Sequence, residues 1–172
     1  MVKSKTFFIA SIILVVLCCL WFYPVYVLGL QNAKDETSIY SKTVDPGDVF
    51  SLRYTHSVKH RPVWDIYFID KDYRVLLEET IFPGYGYGLP YLTNGNEQFT
   101  EKDDGNYSIS NIKRHIPSLS IRVGRPYDNT FTFKEESPIN LSALIGDGLV
   151  DMRVHKSNVL KYLYKEIVLW NK

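Results

Sequence analysis

The chain has 172 residues, with 20 Lys and Arg against 19 Asp and Glu and a net charge of +1. That length bounds the soluble part to one ordinary domain, and the balanced charge, with no basic run, excludes an electrostatic nucleic-acid interface. The only cysteines, Cys18 and Cys19, lie in an apolar stretch, which excludes a disulfide framework or a Cys metal site in the remainder.

The first element is apolar. From Phe7 to Leu30 there is no charged residue, a run of about 24 residues, which is enough to span a bilayer core. Trp21, Tyr23 and Tyr26 cluster at its far end, where an aromatic belt sits, and Pro24 stops the helix near that interface. Lys3 and Lys5 precede the run and Lys34, Asp35 and Glu36 follow it. The positive-inside rule then puts the N-terminus in the cytoplasm and the C-terminal domain outside. Gln31-Asn32-Ala33 is a poor cleavage site, and Val16-Leu17-Cys18-Cys19 lacks the small residue expected before a lipidated cysteine. The segment therefore reads as an uncleaved signal anchor of a single-pass cell-membrane protein. The expected organisation is an anchor and linker over 1–33, an extracytoplasmic β-domain over 34–156 and a C-terminal helix over 157–172.

Short strands follow in the β-domain. Residues 39–44 come first, then the turn Asp45-Pro46-Gly47-Asp48. Residues 49–58 alternate, with Phe50, Leu52, Tyr54 and His56 on one face. Residues 63–69 and 73–82 flank the turn Asp70-Lys71-Asp72, and Leu76, out of phase, predicts a bulge in the second of them. Residues 83–104 read mostly as loop. Further strands are predicted over 107–112, 119–123, 130–134 and 149–154, separated by Asp103-Asp104-Gly105-Asn106, Gly124-Arg125-Pro126 and Gly146-Asp147-Gly148. Seven to nine short strands predict a mainly β fold, an antiparallel β-sandwich or a partly open barrel. Ser157 is placed to cap a last helix carrying Val159, Leu160, Leu163, Tyr164, Ile167 and Val168 at helical spacing, with Lys161 and Lys165 on the other side. Its first reading is a short amphipathic helix closing one end of the β-domain; its second is a basic helix touching the membrane or a partner there.

Two segments concentrate the candidate functional residues: His56, Ser57 and Asp65 in the first, and Gly84, Tyr85, Gly86, Tyr87, Gly88 and Pro90 in the second. His56 and Ser57 are strand neighbours and point to opposite faces, so they cannot pair as base and nucleophile. His56 and His60 lie about 13 Å apart in an extended strand, too far for one ion, and no third ligand has diagnostic spacing. Glu78 and His115 are the groups an enzyme would have to bring to His56. The Gly/Tyr run lacks the strand-to-helix context and the following Lys of a phosphate loop; its glycines allow sharp turning or close backbone approach. Asp103-Asp104-Gly105-Asn106 lacks the spacing of a calcium loop. No catalytic residue, metal or cofactor is expected, and the two segments read as a contact surface.

The run Phe50-x-Leu-x-Tyr-Thr-His-Ser-Val-x-x-x-Pro-Val-x-Asp-x-Tyr resembles the opening of a bacterial family, domain of unknown function 1850. Phe82-x-x-Tyr-Gly-x-Gly-Leu-Pro is similar to its aromatic-glycine element, and Ile121-Arg122-Val123-Gly124 to a later strand–turn signature. Asp65 stands where that family more often has Glu. The resemblance covers residues 44–155. It implies an accessory role beside a TRAP-type transporter of the TAXI class, which imports organic acids, with the permease or its solute-binding protein as partner. It carries over no catalytic residue. Two alternatives remain open: a small-ligand-binding β-domain of the envelope that uses the same cluster as a pocket, and a hydrolytic or metal-dependent enzyme.

Overall fold

The computed structural model describes residues 2–84 and 93–170, with side chains described over 7–84 and 93–168. In chain order the elements are α1 (Val2–Phe22), β1 (Pro24–Asn32), β2 (Ser38–Thr43), β3 (Val49–Thr55), β4 (Pro62–Ile69), β5 (Val75–Phe82), β6 (Gln98–Glu101), β7 (Tyr107–Ser110), β8 (Arg114–His115), β9 (Leu119–Val123), β10 (Thr130–Phe133), β11 (Ile139–Asn140), α2 (Leu141–Ile145), β12 (Gly148–Asn158) and α3 (Val159–Trp170). A 3-10 turn, Arg125–Tyr127, joins β9 to β10.

The strands make two antiparallel sheets, one ordered β2-β1-β12-β9 and the other β11-β10-β3-β4-β5-β7-β6, with β8 paired to β5. The expected mainly β, antiparallel architecture is therefore present. Alternation along each strand sends one set of side chains inward. Leu28, Leu30, Val123, Val150 and Met152 from the first sheet meet Phe50, Leu52, Tyr67, Ile69, Phe131 and Phe133 from the second in one buried cluster. Phe50 stacks on Tyr67 with ring centroids 5.0 Å apart, and Tyr40 meets Phe131 edge-on at 5.0 Å. A second, smaller cluster of Val63, Phe82 and Ile109 lies towards the β3–β4 connection.

The apolar segment from Phe7 to Leu30 does not form one membrane helix. It divides at Pro24, which has no N–H to continue the helical ladder. The last helical bond runs from the Tyr23 N–H to the Cys19 carbonyl. Beyond it, Val25, Tyr26, Val27 and Leu28 are β-favouring or apolar and enter β1, where Val27, Leu28 and Leu30 are 2%, 0% and 1% exposed. β1 pairs with β12 from Pro24 opposite Asn158 to Asn32 opposite Val150. The β-domain therefore starts at Pro24 rather than at 34, and Gln31 and Asn32 are ladder residues, not linker. Among the described residues no helix is long and apolar enough to cross a membrane. The described side chains of α1 are exposed, apart from the partly buried Leu20.

Other differences are local. Twelve strands are present among the described residues, against the seven to nine expected; β6 lies inside the stretch read as loop, and β12 runs four residues past 154. The expected bulge in β5 falls at Glu78: Ile66 faces Glu79 while Tyr67 faces Leu77. The cap of α3 is Asn158, whose Oδ1 accepts from the Lys161 N–H at 2.8 Å; Ser157 is still a strand residue, paired with Val25. The apolar stripe of α3 does not close the domain. Leu163, Tyr164, Ile167 and Val168 are 46%, 71%, 61% and 38% exposed, whereas the Glu166 carboxylate keeps one oxygen buried with no hydrogen-bond partner among the described residues.

Candidate functional site

β3 and β4 pair from Val49 opposite Phe68 to Thr55 opposite Pro62, so residues 56–61 close a hairpin. Its loop is organised by His56. The His56 N–H donates to the Arg61 carbonyl at 2.9 Å, and the His60 N–H donates to the His56 carbonyl at 2.9 Å. The ring returns the favour to the backbone: His56 Nδ1 accepts from the N–H groups of Val58 and Lys59, both at 3.2 Å. The His56 ring thus takes the place that a short Asx or Ser/Thr side chain holds in such turns, accepting from backbone donors two and three residues on. His60 adopts φ 52°, in the left-handed region, and its side chain is exposed, as is that of Ser57. Among the described residues no group of three His, Cys, Asp or Glu is placed to hold a metal ion.

Asp65 lies elsewhere. It pairs with Leu52 in β3, four residues short of His56 and so about 13 Å along the strand. Alternation places Asp65 on the inner face of β4, between the buried Val63 and Tyr67. The bulge at Glu78 then decides its partner. Without the extra residue, Leu77, Glu79 and Ile81 share a face; with it, Thr80 and Phe82 turn inward, and Thr80 sits opposite Asp65. Thr80 Oγ1 donates to Asp65 Oδ1 at 2.8 Å. Burial pushes the Asp65 carboxyl up from the usual carboxylate range, opposed by that hydrogen bond. Burial also pushes the Tyr54 hydroxyl up to about 12, with the Asp65 charge adding to it. A cavity of about 110 Å³ opens here, lined by Leu52, Tyr54, Asp65, Tyr67, Ile121 and Asn129 among others, and not by His56. Glu78 and His115 do not join His56 either: Glu78 sits at the bulge, and His115 pairs with Leu76 near the start of β5.

Gly84 follows the buried Phe82 and Pro83 and has φ 129°, a conformation that favours glycine. It leaves β5 beside the hairpin, since Trp64 faces Ile81. Tyr85, Gly86, Tyr87, Gly88 and Pro90 lie outside the described residues.

Several neighbours of the hairpin were read in the sequence only as turn or strand residues, or not at all, and not as candidate functional residues. The Arg61 guanidinium donates to Asn106 Oδ1 at 3.3 Å, and Asp104 fixes that asparagine by accepting from its N–H at 3.0 Å and its Nδ2 at 2.7 Å. Arg53 pairs with Asp128 at 2.6 Å. The buried Asn129 and Ser142 bond to each other and to Gly124. A Cβ at Gly124 would lie 3.0 Å from the Tyr127 ring and 3.2 Å from Asp147 Oδ1, so a larger residue there would have to push those side chains back by a few tenths of an ångström. Beside it is a cleft of about 610 Å³ lined by Lys34, Arg122, Gly124, Tyr127, Asp147 and Leu149 among others. The Asx and glycine turns were legible one by one. Their convergence was not, because it depends on pairings such as Val123 with Gly148 and Thr130 with Arg53.

The helices leave from the other end. β1 starts where β12 ends, and the Val159 N–H donates to the Tyr23 carbonyl at 3.3 Å. The Val44 N–H donates to Tyr26, and the following turn bonds to Ile69 at the end of β4. Tyr26 stacks on Tyr73 with ring centroids 3.7 Å apart and planes 9° from parallel. α1 and α3 therefore flank the start of β3, and the hairpin lies at its far end, about 23 Å away for seven extended residues.

A family model described as a domain of unknown function, DUF1850, matches residues 50–139. The match runs from Phe50 in β3 to Ile139 in β11 and takes in the hairpin, Asp65, Gly84 and Gly124; it is narrower than 44–155 at both ends. No curated protein and no solved structure matches the chain.

Proposed function

This chain belongs to the DUF1850 family, and from that premise we propose that it is a membrane-anchored, extracytoplasmic accessory protein that works by protein contact. The observation that carries the reading is the separation of chemistries along β3. One end bears α1, whose described side chains are apolar but for Ser11 and exposed but for the partly buried Leu20. The other bears the hairpin, with Ser57 and His60 exposed, and the start of the loop at Gly84.

An apolar helix that its own domain leaves uncovered finds its solvent in lipid or in another protein. Residues 7–22 make about 24 Å of helix, against a hydrocarbon core of about 30 Å. The anchor therefore takes in the first helical turn as well, where the sequence carries Lys3 and Lys5. Those lysines favour a cytoplasmic N-terminus and an outward β-domain in the cell membrane. With α1 inserted, the hairpin points away from the bilayer. A partner that meets it there is a water-soluble protein. Within the TRAP-type transporter setting that the family resemblance suggested, that favours the solute-binding protein over the buried parts of the permease. The Asp65 cavity supports small-ligand binding less well, since about 110 Å³ is below the roughly 300–1,000 Å³ of ordinary ligand pockets.

The test is a photocrosslinking residue at Val58, 52% exposed on the hairpin, in the full chain within its own membranes. An adduct with an extracytoplasmic solute-binding protein is expected. Adducts confined to lipid, or none at any hairpin position, would overturn the reading.

A further inference from the structure

α3 is turned inside out relative to a domain-closing helix. At 3.6 residues per turn, Leu160, Leu163, Tyr164, Ile167 and Val168 fall within an arc of about 140°. Four of the five are exposed and Leu160 is half-buried. Tyr162 and Glu166 take the inward arc, with the Glu166 carboxylate partly buried. Lys161 and Lys165, both exposed, project next to the apolar arc on the side leading round to the sheet. A helix that hides a carboxylate and shows leucine, tyrosine and valine is in its lowest-energy setting only if the outward side is not water.

Three features point to a lipid surface as what covers it. α3 packs beside α1 and shares a backbone hydrogen bond with its exit, from the Val159 N–H to the Tyr23 carbonyl. It lies at the same end of the β-domain as α1. Two lysines rim the apolar arc, and Lys156 just before the helix is exposed as well; long cationic side chains at the edge of an apolar face reach anionic headgroups while the face enters the acyl boundary. The geometry points to α3 as a second membrane contact. It lies in the plane of the interface of the same bilayer, its Leu163–Val168 face down, and fixes the β-domain upright so that the hairpin stands clear of the surface. This rests on reading α1 as the anchor.

The experiment uses the full chain in vesicles of neutral and anionic phospholipids, with Cys18→Ala and Cys19→Ala as background. Nitroxide labels are placed singly by Leu14→Cys in α1, Tyr164→Cys in α3 and Ser57→Cys in the hairpin. Collision with lipid-soluble oxygen and with a water-soluble nickel chelate is then compared. The expected result is an oxygen-to-nickel ratio severalfold higher at positions 14 and 164 than at 57, with the value at 164 falling when Lys161→Glu and Lys165→Glu are added. A high ratio at 14 with a water-like ratio at 164 would overturn this inference alone. Shielding of 164 from both reagents would overturn it in favour of a protein partner. A water-like ratio at 14 would overturn the anchor reading beneath it.

Discussion

The two ends of the β3–β4 pair are built from different materials. At the hairpin end the loop is held by polar bonds, His56 to its own backbone and Arg61 to Asn106, and it presents Ser57 and His60 to water. At the helix end the turn between β4 and β5 is also polar at its centre: Asp70 is buried, yet bonds from Arg74 and from the turn backbone outweigh that and hold its carboxyl below the usual range. The turn itself exposes Lys71, Asp72 and Arg74, but beside it Tyr26 stacks on Tyr73 and two helices show leucine, isoleucine and phenylalanine outward. The contrast teaches that stability and exposure are separable here. Both ends are well bonded, and only one of them is unsuited to water.

Removing residues 2–22 breaks the contrast most severely. The shortened chain is expected to be lost from the membrane fraction on fractionation while its far-ultraviolet dichroism stays β-like; retention in the membrane would assign anchoring to another part of the molecule. Next in size is the core shared by both ends. Phe131 is fully buried against Phe50 and Tyr40, so Phe131→Ala is expected to cost about 3–5 kcal/mol in chemical denaturation, and a loss below about 1 kcal/mol would contradict its place between the sheets.

Two titrating groups sharpen the comparison because their signs differ. Asp65 has a raised folded value, from burial, so the folded state binds the extra proton and stability is lost as pH rises from the ordinary carboxylate range through that value. Asp65→Asn is expected to remove this loss and to raise the Tm at neutral pH relative to acid. His155 in β12 has a lowered value, from burial and then from Lys165, Arg153 and Lys161. Its contribution runs the other way: stability falls as pH drops below about 6.5, where the unfolded imidazole protonates first. His155→Gln is expected to flatten that acid limb. Identical pH profiles for wild type and both variants would show that neither environment is as buried as described. The smallest effects belong to the hairpin. His56→Ala removes the two acceptor contacts of the loop and is expected to cost about 1 kcal/mol, whereas Ser57→Ala is expected to stay within about 0.5 kcal/mol and yet weaken any partner contact made there.

Strands of both sheets were legible where they are half-buried and alternate: 119–123 matches β9 of the first sheet, and 63–69 and 130–134 fall within one residue of β4 and β10 of the second. β1 was hidden for a physical reason. A strand buried on both faces is a continuous apolar run, and next to an apolar helix it lengthens the helix rather than announcing a sheet. The spacing of α3 identified a helix and its stripe but not the side it turns to the sheet, because Tyr162 and Glu166 pack inward against expectation. At the candidate site, His56 and Asp65 were grouped by sequence proximity; the strand separates them into a turn-former and an inner carboxylate. Asp65 found Thr80 only through a bulge whose position no propensity sets to the residue.

In the proposed arrangement the hairpin stands away from a membrane that α1 and α3 enter. The direct measurement is energy transfer from a donor on Ser57→Cys or on Lys71→Cys, an exposed turn residue at the helix end, to acceptor lipids in vesicles holding the full chain, again with both native cysteines replaced. With the two positions about 23 Å apart along β3, quenching is predicted to be strong at 71 and weak at 57. Equal quenching, or stronger quenching at 57, would contradict the account.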